Sequence, residues 1–191
     1  MSQVVPVVLT TGVLVVLVAL SASFTGRAPE TPYAVMVLGV VSLMMGLAAV
    51  LLTTLNMTVG RPGLSSIFVL ESSASAYILG VGASLLALFG CASGLIWTVR
   101  MRRPASASLL VFGALVPLLL EIGVLDYLIV AQAPFNLGTA SGILLTVFLS
   151  VVVIAAPLTL IVFGNREHDA SAIVAPPRGS LAPPPGARDA G

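Results

Sequence analysis

The chain runs from Tyr33 to Leu55 without one charged side chain, and three further stretches of similar length do the same. No other feature constrains the fold as strongly. A helix crossing the hydrocarbon core of a bilayer needs about 20 predominantly apolar residues, because it rises only about 1.5 Å per residue against a core of about 30 Å. Five stretches meet that length: about Val4–Ser23, Tyr33–Leu55, Ala74–Val99, Ala107–Val130 and Thr139–Phe163. Composition decides between a membrane bundle and a large apolar core. Only 8% of the residues are charged and 58% are hydrophobic, against about 25% charged in ordinary soluble domains. Too few polar side chains exist to cover a water-facing exterior, and lipid removes the need for them. The expected fold is therefore an all-α integral membrane protein, a five-helix transmembrane bundle over residues 1–164.

Breaks between the spans carry turn-forming punctuation: Gly26–Arg27–Ala28–Pro29, Gly60–Arg61–Pro62–Gly63, Arg102–Arg103–Pro104 and Ala133–Pro134. Arginine placement sets the orientation. Arg100, Arg102 and Arg103 cluster between the third and fourth spans and act as a topology anchor, which puts that loop in the cytoplasm. Alternation then places the amino terminus outside and the carboxyl terminus inside, with Arg27 and Arg166 on the cytoplasmic side and Arg61 outside. Tyr33, Tyr77, Trp97 and Tyr127 fall near predicted span ends, where aromatic rings favour the headgroup layer. The alternative for the first span is a cleaved signal peptide, to which the small residues Ala19, Ser21 and Ser23 near its end point, but Met1–Pro6 holds no basic residue and Arg27 lies on the far side, the reverse of a signal peptide's arrangement.

Two segments fall outside the spans. Leu64–Leu70 is apolar but too short to cross, so it is expected to lie along the outer surface or dip back into the protein. From Asn165 to Gly191 the chain becomes rich in Pro, Ala and Gly, and this stretch is expected to be a disordered cytoplasmic tail. Its proline run can dock into an aromatic groove, but a solvated tail explains it as well. Asn56–Met57–Thr58 matches a glycosylation sequon, a match that arises often by chance. All eight basic residues are arginine. That bias suggests a GC-rich bacterial gene and hence the bacterial cytoplasmic membrane.

Small residues mark how the spans pack. Lipid tails are as apolar as leucine, so helices gain from close backbone approach rather than from hiding leucine. The second span carries Gly39, Ser42, Gly46, Ala49 and Thr53 at steps of three and four; the third carries Gly80, Ala83, Ala87, Gly90 and Gly94. Each set forms one continuous stripe. The two stripes are expected to pack on each other or on close neighbours.

Chemistry-bearing residues are few. Glu121 and Asp126 are the only acids inside a predicted span. An ionisable group near the bilayer centre costs about 2.5–3.5 kcal/mol on insertion scales, so it faces the bundle interior or water and is a functional candidate by default. Asp126 lies close to the outer interface, where it joins Arg61 and Glu71 as outer-face polar residues. Glu121 lies deeper. Counting depth along an antiparallel fifth span places Thr146 and Ser150 opposite it, and no arginine lies at that depth, so a protonated Glu121 is expected. Pro117, one turn earlier, frees the Gly113 carbonyl as another possible partner. Such an acid serves either as a polar staple between helices or as a proton or cation site.

Other classes find no support in the residues. The chain has one histidine, one cysteine and no lysine, which excludes an H-E-x-x-H zinc site, a disulfide and a G-x-x-x-x-G-K phosphate loop. No G-x-S-x-G nucleophile motif occurs. Gly80–Val81–Gly82 sits inside a membrane span and cannot be a dinucleotide fingerprint, which needs a preceding strand. No cofactor or metal is expected, and nucleic acid is not an expected partner, since the basic residues form no extended patch. The expected partners are the lipid bilayer and a membrane protein, either another chain or a second copy. The sequence thus favours a non-enzymatic subunit or accessory factor of a larger membrane assembly. The alternative is a small transporter or ion-coupled carrier using Glu121, although no internal repeat of the kind common in transporters is present.

Overall fold

The structure is a computed structural model. It describes residues 12, 16, 19–23, 30–59, 66–131 and 140–174, with the side chains of 54–59, 66–74, 125–131, 140–143, 145–146, 172 and 174 outside the description. The regular elements are α1 (Thr31–Val59), α2 (Ser66–Arg100), α3 (Pro104–Leu110), a π-helical turn (Val111–Leu115), α4 (Val116–Ala131) and α5 (Ala140–Val174), with no strand among the described residues. α3, the π-helical turn and α4 follow without a break and form one rod over 104–131. Four windows are long and apolar enough to cross a membrane: Thr31–Thr53, Ser75–Arg100, Pro104–Val124 and Val147–Ser171. They match the second to fifth sequence spans. The first span lies mostly outside the described residues; positions 12, 16 and 19–23 of it are helical.

α1 packs against α2 and α5, and the rod packs against the same two helices from elsewhere. The interior is built of Leu110, Ala114 and Leu118 from the rod, Ala87 and Cys91 from α2, and Ala156, Leu160 and Phe163 from α5. Large residues such as Met44, Leu51, Phe112 and Val151 are exposed on the outside, the arrangement expected where lipid is the solvent.

The stripes of small residues work in two directions. Ser42 donates to the Ala83 carbonyl at 2.7 Å, and Ala49 faces Gly80, so α1 and α2 meet along part of both stripes. Gly39 and Gly46 of the α1 stripe seat α5, while Gly90 and Gly94 of the α2 stripe meet α5 and the rod. A Cβ at Gly39 would lie 2.9 Å from the Leu160 Cβ and 3.0 Å from the Pro157 carbonyl oxygen, and one at Gly46 would lie 2.7 Å from Val153 Cγ1. Only glycine permits that approach of α1 to α5.

The connection between α2 and the rod is tight. The Arg103 amide donates to the Thr98 carbonyl at 2.9 Å and the Arg102 amide to the Val99 carbonyl at 3.3 Å. Those bonds form a Schellman motif, which requires a left-handed residue at its turn. That residue is Arg102, at φ 55, where glycine is the usual occupant. Pro104 then occupies the first turn of α3, a position where a missing amide hydrogen costs nothing.

Two expectations are corrected. Residues 66–70 do not lie apart along a surface; they are the first turns of α2. No proline or glycine falls between Ser66 and Tyr77 to stop the helix. Residues 165–174 are not the start of an irregular tail but the last turns of α5. They are held because Glu167 is only 7% exposed and bonds back to the rod, and the first proline of the tail comes only at Pro176. Residues 175–191 lie outside the described residues.

Candidate functional site

Glu121 is only 5% exposed, though it sits on a helix whose flanking Leu119 and Leu120 face outward. It is carried inward on the same face of the rod as Ala114 and Leu118 (steps of three and four). That face is shaped by Pro117, which cannot donate to the carbonyl four residues earlier and whose ring crowds it. The rod answers with the wide π-helical turn at Val111–Leu115, closed by the Val116 amide on the Val111 carbonyl. The freed Gly113 carbonyl is taken by Thr159 of α5, whose hydroxyl reaches it at 2.8 Å while sharing its hydrogen with the Ala155 carbonyl, also at 2.8 Å. The carbonyl foreseen as a partner for Glu121 is therefore satisfied by another residue.

Glu121 meets α2 instead. The Ser84 hydroxyl donates to Glu121 Oε1 at 3.3 Å and lies 3.1 Å from the Gly80 carbonyl. Glu121 Oε2 is buried and has no hydrogen-bond partner among the described residues. Glu121 lines a cavity together with Ser42 of α1, Ser84 of α2, Leu118 of α4, and Val153 and Pro157 of α5. The cavity leaves about 10 Å³ for the centre of a water-sized body, enough for roughly one such body. Ala83 and Ala87 complete it; their short side chains leave the space. Ser42 is the middle residue of the window Thr31–Thr53, and Pro157 lies near the middle of Val147–Ser171. The cavity thus lies near the mid-depth of the bundle, and no arginine lines it.

A second buried glutamate lies at the other end of the rod. Glu167 of α5 forms an ion pair with Arg103 and accepts a hydrogen bond from Ser106 at 2.5 Å. Arg103 also lies over the Trp97 ring, 5.6 Å from its centroid, and Trp97 meets Phe163 edge to face at 6.0 Å. Trp97 is therefore buried in the bundle rather than spread in a headgroup layer. Tyr33 is exposed near the start of α1 and Tyr77 is exposed well inside α2, and the Tyr33 ring meets the His168 ring at a tilt, 6.1 Å between centroids.

The remaining sequence candidates distribute as follows. Ser150 of α5 is half-buried and does not line the Glu121 cavity. The side chains of Thr146, Glu71 and Asp126 lie outside the described ones, as does the whole of Arg61. Gly90 faces Leu160 and Leu38, and Gly94 faces Leu110 and Phe163. Arg100 and Arg102 are exposed on the turn while Arg103 is drawn inward. Cys91 is fully buried, with its thiol toward the Leu110 carbonyl at 3.7 Å. Sequence reasoning missed Ser84 and Glu167. Ser84 had a usable signal, since it follows the stripe residue Ala83 and sits beside it on the helix. Glu167 had none, because it lies among the polar residues that open the tail. Among the described residues no group of three or more His, Cys, Asp or Glu side chains comes together to hold a metal. No family model, curated protein or solved structure matches the chain.

Proposed function

We propose that the protein is a small polytopic membrane carrier, or the ion-handling part of one, whose working group is Glu121. One observation carries this reading: Glu121, a residue that lines a cavity near mid-depth of the bundle, holds a buried carboxyl oxygen without a partner among the described residues. A staple between helices satisfies both carboxyl oxygens, since an unpaired buried polar atom weakens the packing it serves. A group that must release and rebind a proton or cation keeps one oxygen available. Reconstitution in liposomes tests the reading. Imposed proton or sodium gradients should collapse with the wild type and persist with Glu121→Gln; no flux under any gradient would sink it.

Several finer features belong to the same proposal. The first span forms a fifth transmembrane helix. The amino terminus lies outside, the Arg100–Arg103 turn and the end of α5 lie in the cytoplasm, and the membrane is the bacterial cytoplasmic membrane. The tail beyond Val174 is irregular. Support for the orientation comes from the arginines of the α2–rod turn together with Arg166 at the same end of the bundle.

A second reading, a non-enzymatic subunit or accessory factor of a larger membrane assembly, draws on α5. The helix runs past its apolar window to Val174 and presents exposed Arg166, His168, Asp169 and Ile173. That end gives another chain, or a second copy, a mixed polar and apolar surface to hold. Co-purification in mild detergent tests it, and a strictly monomeric protein without partners would count against it.

A further inference from the structure

The two arms of the rod are held unequally. At the α3 end, Arg103 and Ser106 both bond to Glu167 of α5, and Leu110 is wholly buried. α4 is held less. Leu118 and Glu121 turn inward, but Val116, Leu119 and Leu120 face outward, and a Cβ at Gly123 would meet nothing. Glu121 reaches α2 through the 3.3 Å bond from Ser84. Between the arms lies the π-helical turn Val111–Leu115, with Pro117 just beyond it. A π-helical turn followed by a proline interrupts the hydrogen-bond ladder, and a helix bends most easily there.

Thr159 of α5 ties this turn down. Its hydroxyl has one hydrogen and two acceptors at 2.8 Å, the Gly113 carbonyl across the interface and the Ala155 carbonyl of its own helix. The contact is close-fitting, since a Cβ at Gly113 would lie 2.6 Å from Thr159 Cγ2. It also opens cheaply. The hydrogen can pass wholly to Ala155, which leaves no buried donor unpaired. The Gly113 carbonyl then has the Leu118 amide five residues on, the same relation by which the Val116 amide closes on the Val111 carbonyl. Stranded backbone groups are what make a break in a membrane helix costly, and neither partner is stranded here.

We propose that α4 swings on the π-helical turn while α3 stays fixed, with Thr159 as the catch. Glu121 lies about 9 Å along the axis beyond Leu115. An added bend of about 20° displaces it by roughly 3 Å, enough to part it from Ser84. The swing alternately holds Glu121 against α2 and frees it, and in that purpose it rests on the carrier reading.

Double electron–electron resonance on the full chain in lipid nanodiscs tests it. Nitroxides at Gly123→Cys and Ile78→Cys, both exposed positions, report on α4 against α2. A pair at Ser108→Cys and Val99→Cys, also exposed, reports on α3. Cys91 is fully buried, and protein without added cysteines gives the blank. The expected result is two distances for the first pair, roughly 4 Å apart, and one for the second. Thr159→Val should move the balance several-fold toward the displaced distance. Pro117→Ala restores the missing amide and should leave the undisplaced distance alone. One distance for the first pair in the wild type and both variants overturns the swing. Equal spread at both pairs overturns it too, because the whole rod would then be loose. Flux in liposomes separates the two readings. Flux with one distance strikes the swing and leaves the carrier; two distances without flux uphold the swing and strike the carrier.

Discussion

Two glutamates lie buried in this bundle to almost the same degree, Glu121 at 5% exposure and Glu167 at 7%, yet their surroundings are opposite. Glu167 has an arginine, a serine and a nearby tryptophan that holds the arginine in place. Glu121 has one long hydrogen bond from Ser84 and an oxygen left over. Burial alone therefore does not tell these two acids apart. The separation lies in whether the second oxygen is answered. The Glu167 end is a latch, closing α5 onto the start of the rod with complementary charge. The Glu121 region is the proposed site, set between the rod with its Pro117 and α5 with its Pro157.

The same substitution at both positions breaks or sharpens this contrast. Glu167→Gln leaves Arg103 without its counter-charge and should lower thermal stability in detergent by about 1–2 kcal/mol, below the full cost of a buried pair because part of Arg103 reaches solvent. Glu121→Gln keeps the shape and should change stability by less than about 0.6 kcal/mol, the average worth of one hydrogen bond inside a membrane bundle. Equal losses at the two sites would erase the distinction between latch and site. The smallest expected effect is a gain. Arg102→Gly relieves a left-handed arginine and should stabilise the turn beside the latch by roughly 0.5–1 kcal/mol, measured as a raised unfolding temperature. A loss there would mean that the Arg102 side chain supports the latch directly.

Much of the architecture was legible in the residues because lipid imposes a crude rule. The second to fifth apolar runs each correspond to a helix long and apolar enough to cross a membrane, and Glu121 stood out as the only deep acid. Its surroundings were harder to read. Counting depth between antiparallel spans set Thr146 and Ser150 opposite Glu121; the Thr146 side chain lies outside the described ones, and past Ser150 it is Val153 and Pro157 that line the cavity with Glu121. The offset is about one to two helical turns, and it follows from element ends the sequence misjudged: the rod begins already at Pro104 and α5 continues to Val174. Which helix faces Glu121 depends on the rotation of the rod, and that rotation depends on the π-helical turn. Pro117 announced a disturbance, but whether the helix would kink, widen or end is settled only by a neighbour such as Thr159. The Schellman turn was hidden for a related reason, since arginine at its left-handed position gives no glycine to notice.

The latch also has a history within each molecule. Arg103 and Glu167 are separated by 64 residues of chain, and a ribosome adding about 5–20 residues per second needs roughly 3–13 s to cover that distance. For those seconds the newborn hairpin of α2 and the rod stands with its inward arginine unmatched, and anionic headgroups at the membrane surface are the nearest counter-charge. The arrival of α5 supplies the Glu167 carboxylate instead. Closure of the latch thus waits for α5, and membranes poor in anionic lipid should slow or misdirect that step rather than the insertion of any single helix.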